Sequence, residues 1–262
     1  MKKYCLDPKK EEDMADTEYI FFTHMSDEIG RLLGRLPKTS EAFITQEIYK
    51  LAQRVLKFCE VPLHILENTR IIPYDYPVEL NGLTVTAKAN DDGWFGSCVL
   101  LIEEDGRKTG YAPRFVTHGI HKKRIRRWKQ FFRDQKLDLL ILGKAMIGEG
   151  PATLNDFVDL DQGIAGLKPD ATITTTLSPY DPDSLIKLNV ICRKHGHRLL
   201  LAPYQAATAK AFAPFDDFET GMESDIVIND PRRNFDLPCE MQRQNDIDDL
   251  IKVISPAEVQ YI

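Results

Sequence analysis

Thr17–Leu32 reads TEYIFFTHMSDEIGRL. The apolar run Tyr19 to Phe22 predicts a short buried strand. It ends in Thr23-His24, a polar turn follows, and Asp27 onward has the look of a helix start. A strand that hands a histidine and neighbouring polar side chains to the loop before a helix is a layout that can present ligands. The reading of the whole chain turns on what this loop holds.

Working outward, the 262 residues suffice for one large domain or two small ones, and the net charge of −6 argues against global attraction to nucleic acid. The opening MKKYCLDPKKEEDMAD is charged and lacks the apolar segment of a secretory signal, and no apolar run approaches the ~18 residues of a membrane helix. Cytoplasmic residence is therefore the expectation. The five cysteines, Cys5, Cys59, Cys98, Cys192 and Cys239, are odd in number and contain no C-x-x-C pair, which points to buried free thiols.

Periodicity predicts a helix over 40–59, capped by Ser40, and then short strands at 63–66, 84–87 and 98–102, the last in a hairpin through Glu104-Asp105-Gly106. An amphipathic helix over 122–132 precedes the apolar strand 137–142. The second half alternates: strand 171–176, helix 182–194, strand 198–202, helix 205–213, strand 226–228. That alternation predicts a parallel sheet with helices on its faces. A last helix spans 246–254, followed by the run 259–262.

Four segments resemble metallo-β-lactamase-fold hydrolases of the β-CASP, ribonuclease J-like kind. Phe22-Thr23-His24-Met25-Ser26-Asp27-Glu28-Ile29-Gly30 stands where that family has T-H-x-H-x-D-H-x-G. Asp92-Gly93-Trp94-Phe95-Gly96-Ser97 stands where it has a metal-binding His, and its strand pair then places Arg114 at the family's bridging Asp. DLLILGKAM, residues 138–146, resembles a strand that in the family leads to Glu-Gly-Thr. Residues 243–250 resemble the closing helix, with Gln244 at a His position. Residues 171–212 resemble the β-CASP insert. The resemblance implies an αββα sandwich with a short α/β insert, over 1–150 plus 236–262 and over 151–235. It also implies that the N-terminal strands of the sandwich are missing, leaving a sheet edge open to a homodimer or a paralogue.

Family sites hold two zinc ions that turn a water into a nucleophile. In this chain the resemblance retains His24, replaces two histidines by Ser26 and Ile29, and puts Glu28, Asp92, Arg114 and Gln244 at the other positions. A guanidinium stays protonated, and unit charges at ~4 Å in an effective dielectric of ~20 interact by about 4 kcal/mol, twice that against a dication. The expectation is no dinuclear zinc centre and no cofactor. Three arrangements stay open: Arg114 in the vacated space, paired with Asp92 or Glu28; Arg114 in solvent over a filled pocket; or one atypical metal on His24, Glu28 and Asp92.

The sequence therefore favours a non-catalytic protein with a binding or scaffolding role, against a hydrolase of RNA phosphodiester or other ester bonds that uses one atypical metal. A decayed fragment is a third reading. Lys122, Lys123, Arg126, Arg127 and Lys129, with Arg124 and Arg133, form a basic helix that is a candidate for RNA phosphates. His118 and His121, and His195 and His197, read as surface or turn residues, and His64 as a core residue.

Overall fold

The computed structural model describes residues 2–58, 62–92, 94–114, 121–143, 157–168, 181–221 and 244–262. The chain divides into two compact units. The first takes Met1–Thr117, His121–Gly150 and Met241–Ile262, and the second His118–Ile120 and Pro151–Glu240.

The first unit contains two sheets. In one, β1 (Lys2–Leu6), β2 (Thr17–Phe21), β3 (Glu41–Ile44) and β4 (Thr69–Ile71) are neighbours in that order, all parallel. Helix α1 (Asp27–Leu33) connects β2 to β3, and α2 (Gln46–Phe58) lies between β3 and β4. In the other, β5 (Pro77–Leu80), β6 (Leu83–Ala89), β7 (Cys98–Glu104) and β8 (Arg107–Ala112) form an antiparallel meander. Helix α3 (Lys122–Gln135) then leads to β9 (Leu139–Leu142), parallel to β8. Past the second unit, α7 (Gln244–Ile254) leads to β12 (Glu258–Tyr261), parallel to β9.

Alternation along the strands explains the layering. Tyr19, Phe21 and Phe43 of the parallel sheet pack against Leu83, Val85, Ala87, Leu100, Ile102 and Tyr111 of the mixed sheet, so the sheets lie face to face. Phe21 and Phe43 stack with ring centroids 5.1 Å apart. The other face of the parallel sheet, with Ile20, Ala42 and Ile44, is also buried. Parallel strands need crossovers, and only that face is left for α1 and α2. On the far side of the mixed sheet, Val99, Leu101, Leu140 and Leu142 pack with Ile125, Trp128 and Phe132 of α3 and Ile247, Leu250 and Ile254 of α7. The described residues of the first unit thus form two facing sheets, with α3 and α7 on the outer face of the mixed sheet. A Cβ on Gly143 would sit 2.0 Å from the Pro113 carbonyl oxygen, so only glycine lets the chains leaving β8 and β9 pass this closely.

The second unit contains α4 (Phe157–Ala165), α5 (Pro182–Lys194), β10 (Leu200–Leu201), α6 (Pro203–Phe212) and β11 (Glu219–Thr220), with β10 parallel to β11. Asp181 caps α5 by accepting from Ser184 N at 3.1 Å, with Pro182 in the first turn. Leu185, Leu201, Ala206 and Ala209 form one small core, and Ile164, Leu188, Ile191 and Cys192 another. The described residues thus hold seven α-helices with parallel and mixed sheets, an α/β protein.

Several expectations need correction. The helix expected over 40–59 is a strand and a helix. Glu41–Ile44 enters the parallel sheet between β2 and β4, Ser40 donates its hydroxyl to Thr17 O, and α2 starts at Gln46 behind Thr45. Central pairing on both edges outweighed the helical period of the sequence. Leu63–Leu66, read as a strand, is a 3₁₀ turn after Pro62, and His64, expected in the core, is exposed on it. The charged opening segment, expected to be without strands, contributes β1, with Tyr4 and Leu6 packed against the inter-sheet core. The strands expected at 171–176 and 226–228 lie outside the described residues, as do Cys59, His118 and Cys239.

Candidate functional site

The site lies at one end of the sandwich in the first unit, where β1, β2, β6 and β8 reach their C-terminal ends. His24 follows β2, Asp92 follows β6 and Arg114 follows β8. Three residues from distant parts of the sequence are thereby gathered.

Asp7 sits just past β1, with φ at +41°. Its carboxylate accepts from Thr23 N at 2.7 Å, Thr23 Oγ1 at 2.6 Å and Tyr111 OH at 3.0 Å, and lies 3.8 Å from His24 Nδ1. Burial pushes the Tyr111 phenol up, with the Asp7 charge adding to the effect. The His24 imidazole is held below its ordinary pKa, first by burial and then by the Arg114 charge, against the opposing pull of Asp7 and Glu28. His24 is therefore neutral at pH 7. Its ring meets the Trp94 indole edge-on at 5.7 Å.

Asn90-Asp91-Asp92 follows β6 and is buried throughout. Each residue holds a different neighbour. The Asn90 amide donates to Arg114 O at 2.6 Å, and its oxygen accepts from Trp128 Nε1 at 3.2 Å. Asp91 accepts from His121 N at 2.6 Å, which anchors the start of α3. Asp92 accepts from Trp94 N at 3.0 Å. Burial pushes the Asp92 carboxyl up to about 7, while the Arg114 charge and the Trp94 N–H pull it back. The Arg114 guanidinium lies over the Trp94 ring, 5.5 Å from its centroid.

Of the residues singled out in the sequence, His24, Asp92 and Arg114 are brought together. Ser26 is the N-cap of α1, its hydroxyl accepting from Ile29 N at 3.2 Å. Glu28 is exposed on α1, although its charge reaches His24. Gln244 opens α7, but its side chain lies outside the described residues, as does that of Lys122. Lys123, Arg126, Arg127 and Arg133 are exposed on α3, and Lys129 is half-buried. His195, in the second unit, contacts Asp161 at 2.6 Å in a turn after α5.

Asp7, Asn90, Asp91 and Tyr111 escaped the sequence reading. The signal for Asp7 was present in the alternation of Tyr4 and Leu6 before it, inside a stretch dominated by charge. Asn90 and Asp91 were marked by three consecutive polar residues closing a strand.

The donor set does not fit a dinuclear zinc centre. Among the described residues it offers one neutral imidazole beside a permanent cation, while the carboxylates of Asp7, Asp91 and Asp92 already accept from Thr23 and Tyr111, from the His121 N–H and from the Trp94 N–H, and the Ser26 oxygen caps a helix. Among the described residues, no three of His, Cys, Asp and Glu converge to hold a metal ion.

The fold and this end-of-sandwich cluster define the class: an α/β protein built on two facing sheets. No family model matches the chain, and no curated protein matches it. Among solved structures it is similar to a protein of unknown function from Enterococcus faecalis V583, with a TM-score of 0.61 at 15% identity over 96% of this chain and 59% of that one. The chain thus spans less than two thirds of that neighbour's length. The likeness concerns the fold alone. No helix among the described residues is long and apolar enough to cross a membrane.

Proposed function

We propose that this is a non-catalytic protein of metallo-β-lactamase-like architecture with a β-CASP-like insert, whose zinc site has been replaced and whose role is to bind. The observation that carries the reading is the gathering of His24, Asp92 and Arg114 at one end of the sandwich. These are the positions the sequence resemblance assigns to metal ligands, and one of them now carries a fixed positive charge beside the other two.

The binding surface in this reading is the outer face of α3. Lys123, Arg126, Arg127 and Arg133 are exposed there, while Ile125, Trp128 and Phe132 face the core. Residues three and four apart on a helix lie about 5–6 Å from each other, a spacing that suits successive phosphates. RNA is the partner proposed, held through its backbone without reading of sequence.

Two measurements test this. Metal analysis of protein purified without added zinc is expected to find none bound; stoichiometric zinc or manganese would sink the non-catalytic reading. Binding of a single-stranded RNA is expected to weaken with salt, and Arg126→Ala with Arg127→Ala to lower the salt slope by about 2. RNA binding unaltered by that pair would remove α3 as the surface.

A further inference from the structure

We propose that the turn 213–217 of the second unit docks onto the arginine-bearing face of α3 on a second copy of this chain, so that copies associate head to tail. This goes beyond RNA binding. It rests on the reading above in one respect, that α3 is a binding surface, and it makes a second copy a competitor of RNA for that surface.

Phe215 is the most exposed large apolar side chain among the described residues, at 97%. The turn that carries it is held in place. The Asp216 N–H donates to Ala213 O at 3.1 Å, closing a four-residue turn with Pro214 in its second position. Lys210 Nζ donates to Asp216 O at 2.6 Å, and the Asn189 amide to Asp217 O at 2.9 Å. Phe218 packs against the small core of Leu185, Leu201, Ala206 and Ala209. An aromatic ring is thus displayed to water on an anchored backbone, and little further chain order has to be imposed when it binds.

Two carboxylates follow the ring. Those of Asp216 and Asp217 make no hydrogen bond or ion pair among the described residues, whereas nearby Glu219 is paired with Arg198. A phenyl face beside two unpaired carboxylates suits a guanidinium, which lies flat on an aromatic ring and donates sideways in a fork. The chain carries the complement. Lys123, Arg126 and Arg127 are exposed on α3 and have no partner among the described residues, while Arg124 reaches Asn90 O and Arg133 the Asp134 carboxylate. Arg126 and Arg127 are adjacent, so one turn of helix offers two guanidinium groups to one ring and two carboxylates. A contact between two different faces is heterologous and extends into chains or closes into rings. Exposed ion pairs are individually weak and are screened by salt, so this association is salt-sensitive.

The test is sedimentation equilibrium of the full chain, free of RNA, over a range of concentrations at low and high salt. The proteins are wild type, Phe215→Ala, a helix variant with Arg126→Glu and Arg127→Glu, and a turn variant with Asp216→Lys and Asp217→Lys. Wild type is expected to rise in average mass with concentration at low salt and to fall back at high salt. Phe215→Ala and each charge-reversed protein should stay monomeric. Mixed in equal amounts, the two charge-reversed proteins should form a one-to-one complex. The acidic turn of the helix variant still matches the basic helix of the turn variant, and each has lost the face that would extend the chain. Three outcomes each overturn the proposal: a wild type that is monomeric at every concentration, an association that the substitutions leave unchanged, or charge-reversed proteins that do not combine. Every substituted side chain is exposed except Asp216, which is half-buried, so Asp217→Lys alone replaces the turn variant should that one not fold. A monomeric protein that binds RNA through α3 sinks this proposal and leaves the functional reading standing, and association without RNA binding does the reverse.

Discussion

The carboxylate of Asp7 receives both the backbone N–H and the hydroxyl of Thr23, at 2.7 and 2.6 Å, and so ties the ends of β1 and β2 together. Tyr111 of the facing sheet donates to the same carboxylate at 3.0 Å. Replacing Asp7 by Ala strands three buried donors, and hydrogen bonds to a charged group are worth about 1.5–3 kcal/mol each where removal leaves a buried partner unmet. The expected loss in urea unfolding is about 3 kcal/mol, and about 1 kcal/mol for Tyr111→Phe. An Asp7→Ala protein with an unchanged urea midpoint would show that this carboxylate does not hold the sheets together.

Ser26 caps helix α1, its hydroxyl accepting from Ile29 N at 3.2 Å. Ser26→Ala removes the N-cap of α1 and is expected to lower stability by about 1 kcal/mol, while Ser26→Asp, which can cap, should restore it. Metal content should be the same in all three proteins. A loss in Ser26→Ala that Ser26→Asp does not recover would assign Ser26 a different task.

Asp92 makes stability fall as pH rises. Its carboxyl is pushed from the ordinary 3.8 to about 7, chiefly by burial. Between those values the folded protein binds the proton more tightly than the unfolded chain does. The stability this group contributes is complete below about pH 4 and is lost as pH climbs through 7, by at most about 4 kcal/mol for a shift of roughly three units. Asp92→Asn carries no such proton. Its stability relative to wild type should therefore rise from pH 5 to pH 8, as urea titrations at both values would record. A difference that does not vary with pH would contradict this.

Much of the fold was legible because periodicity survives where one face is buried. Helix α5 spans the residues its pattern predicts, Pro182–Lys194, and β7 and β8 form the hairpin around Asp105-Gly106. One error fell where a strand is buried on both faces, and others at the exposed 3₁₀ turn Leu63–Leu66 and at β1 in the charged opening segment. Glu41–Ile44 shows no alternation, and its pairing with β2 and β4 is a property of residues far away in sequence. At the site, the sequence singled out His24, Asp92 and Arg114, which share a strand-end geometry. It could not show that Ser26 is a cap, or that Glu28 is exposed, since both depend on the rotation of α1. Asp7 was hidden because its value lies in Thr23 and Tyr111, neither of which is near it in sequence.

Helix α7 and strand β12 belong to the first unit, yet they follow the whole of the second along the chain. Glu258 pairs with Leu139, and Ile247, Leu250 and Ile254 complete the core around Trp128. During synthesis at ~5–20 residues per second, β9 and the apolar side of α3 emerge roughly 5–25 s before the segment that covers them. For that interval the nascent chain presents an unpaired strand edge and a bare tryptophan face, the kind of surface that chaperones capture and that aggregation exploits. The order in which this polypeptide is made thus sets its moment of greatest vulnerability.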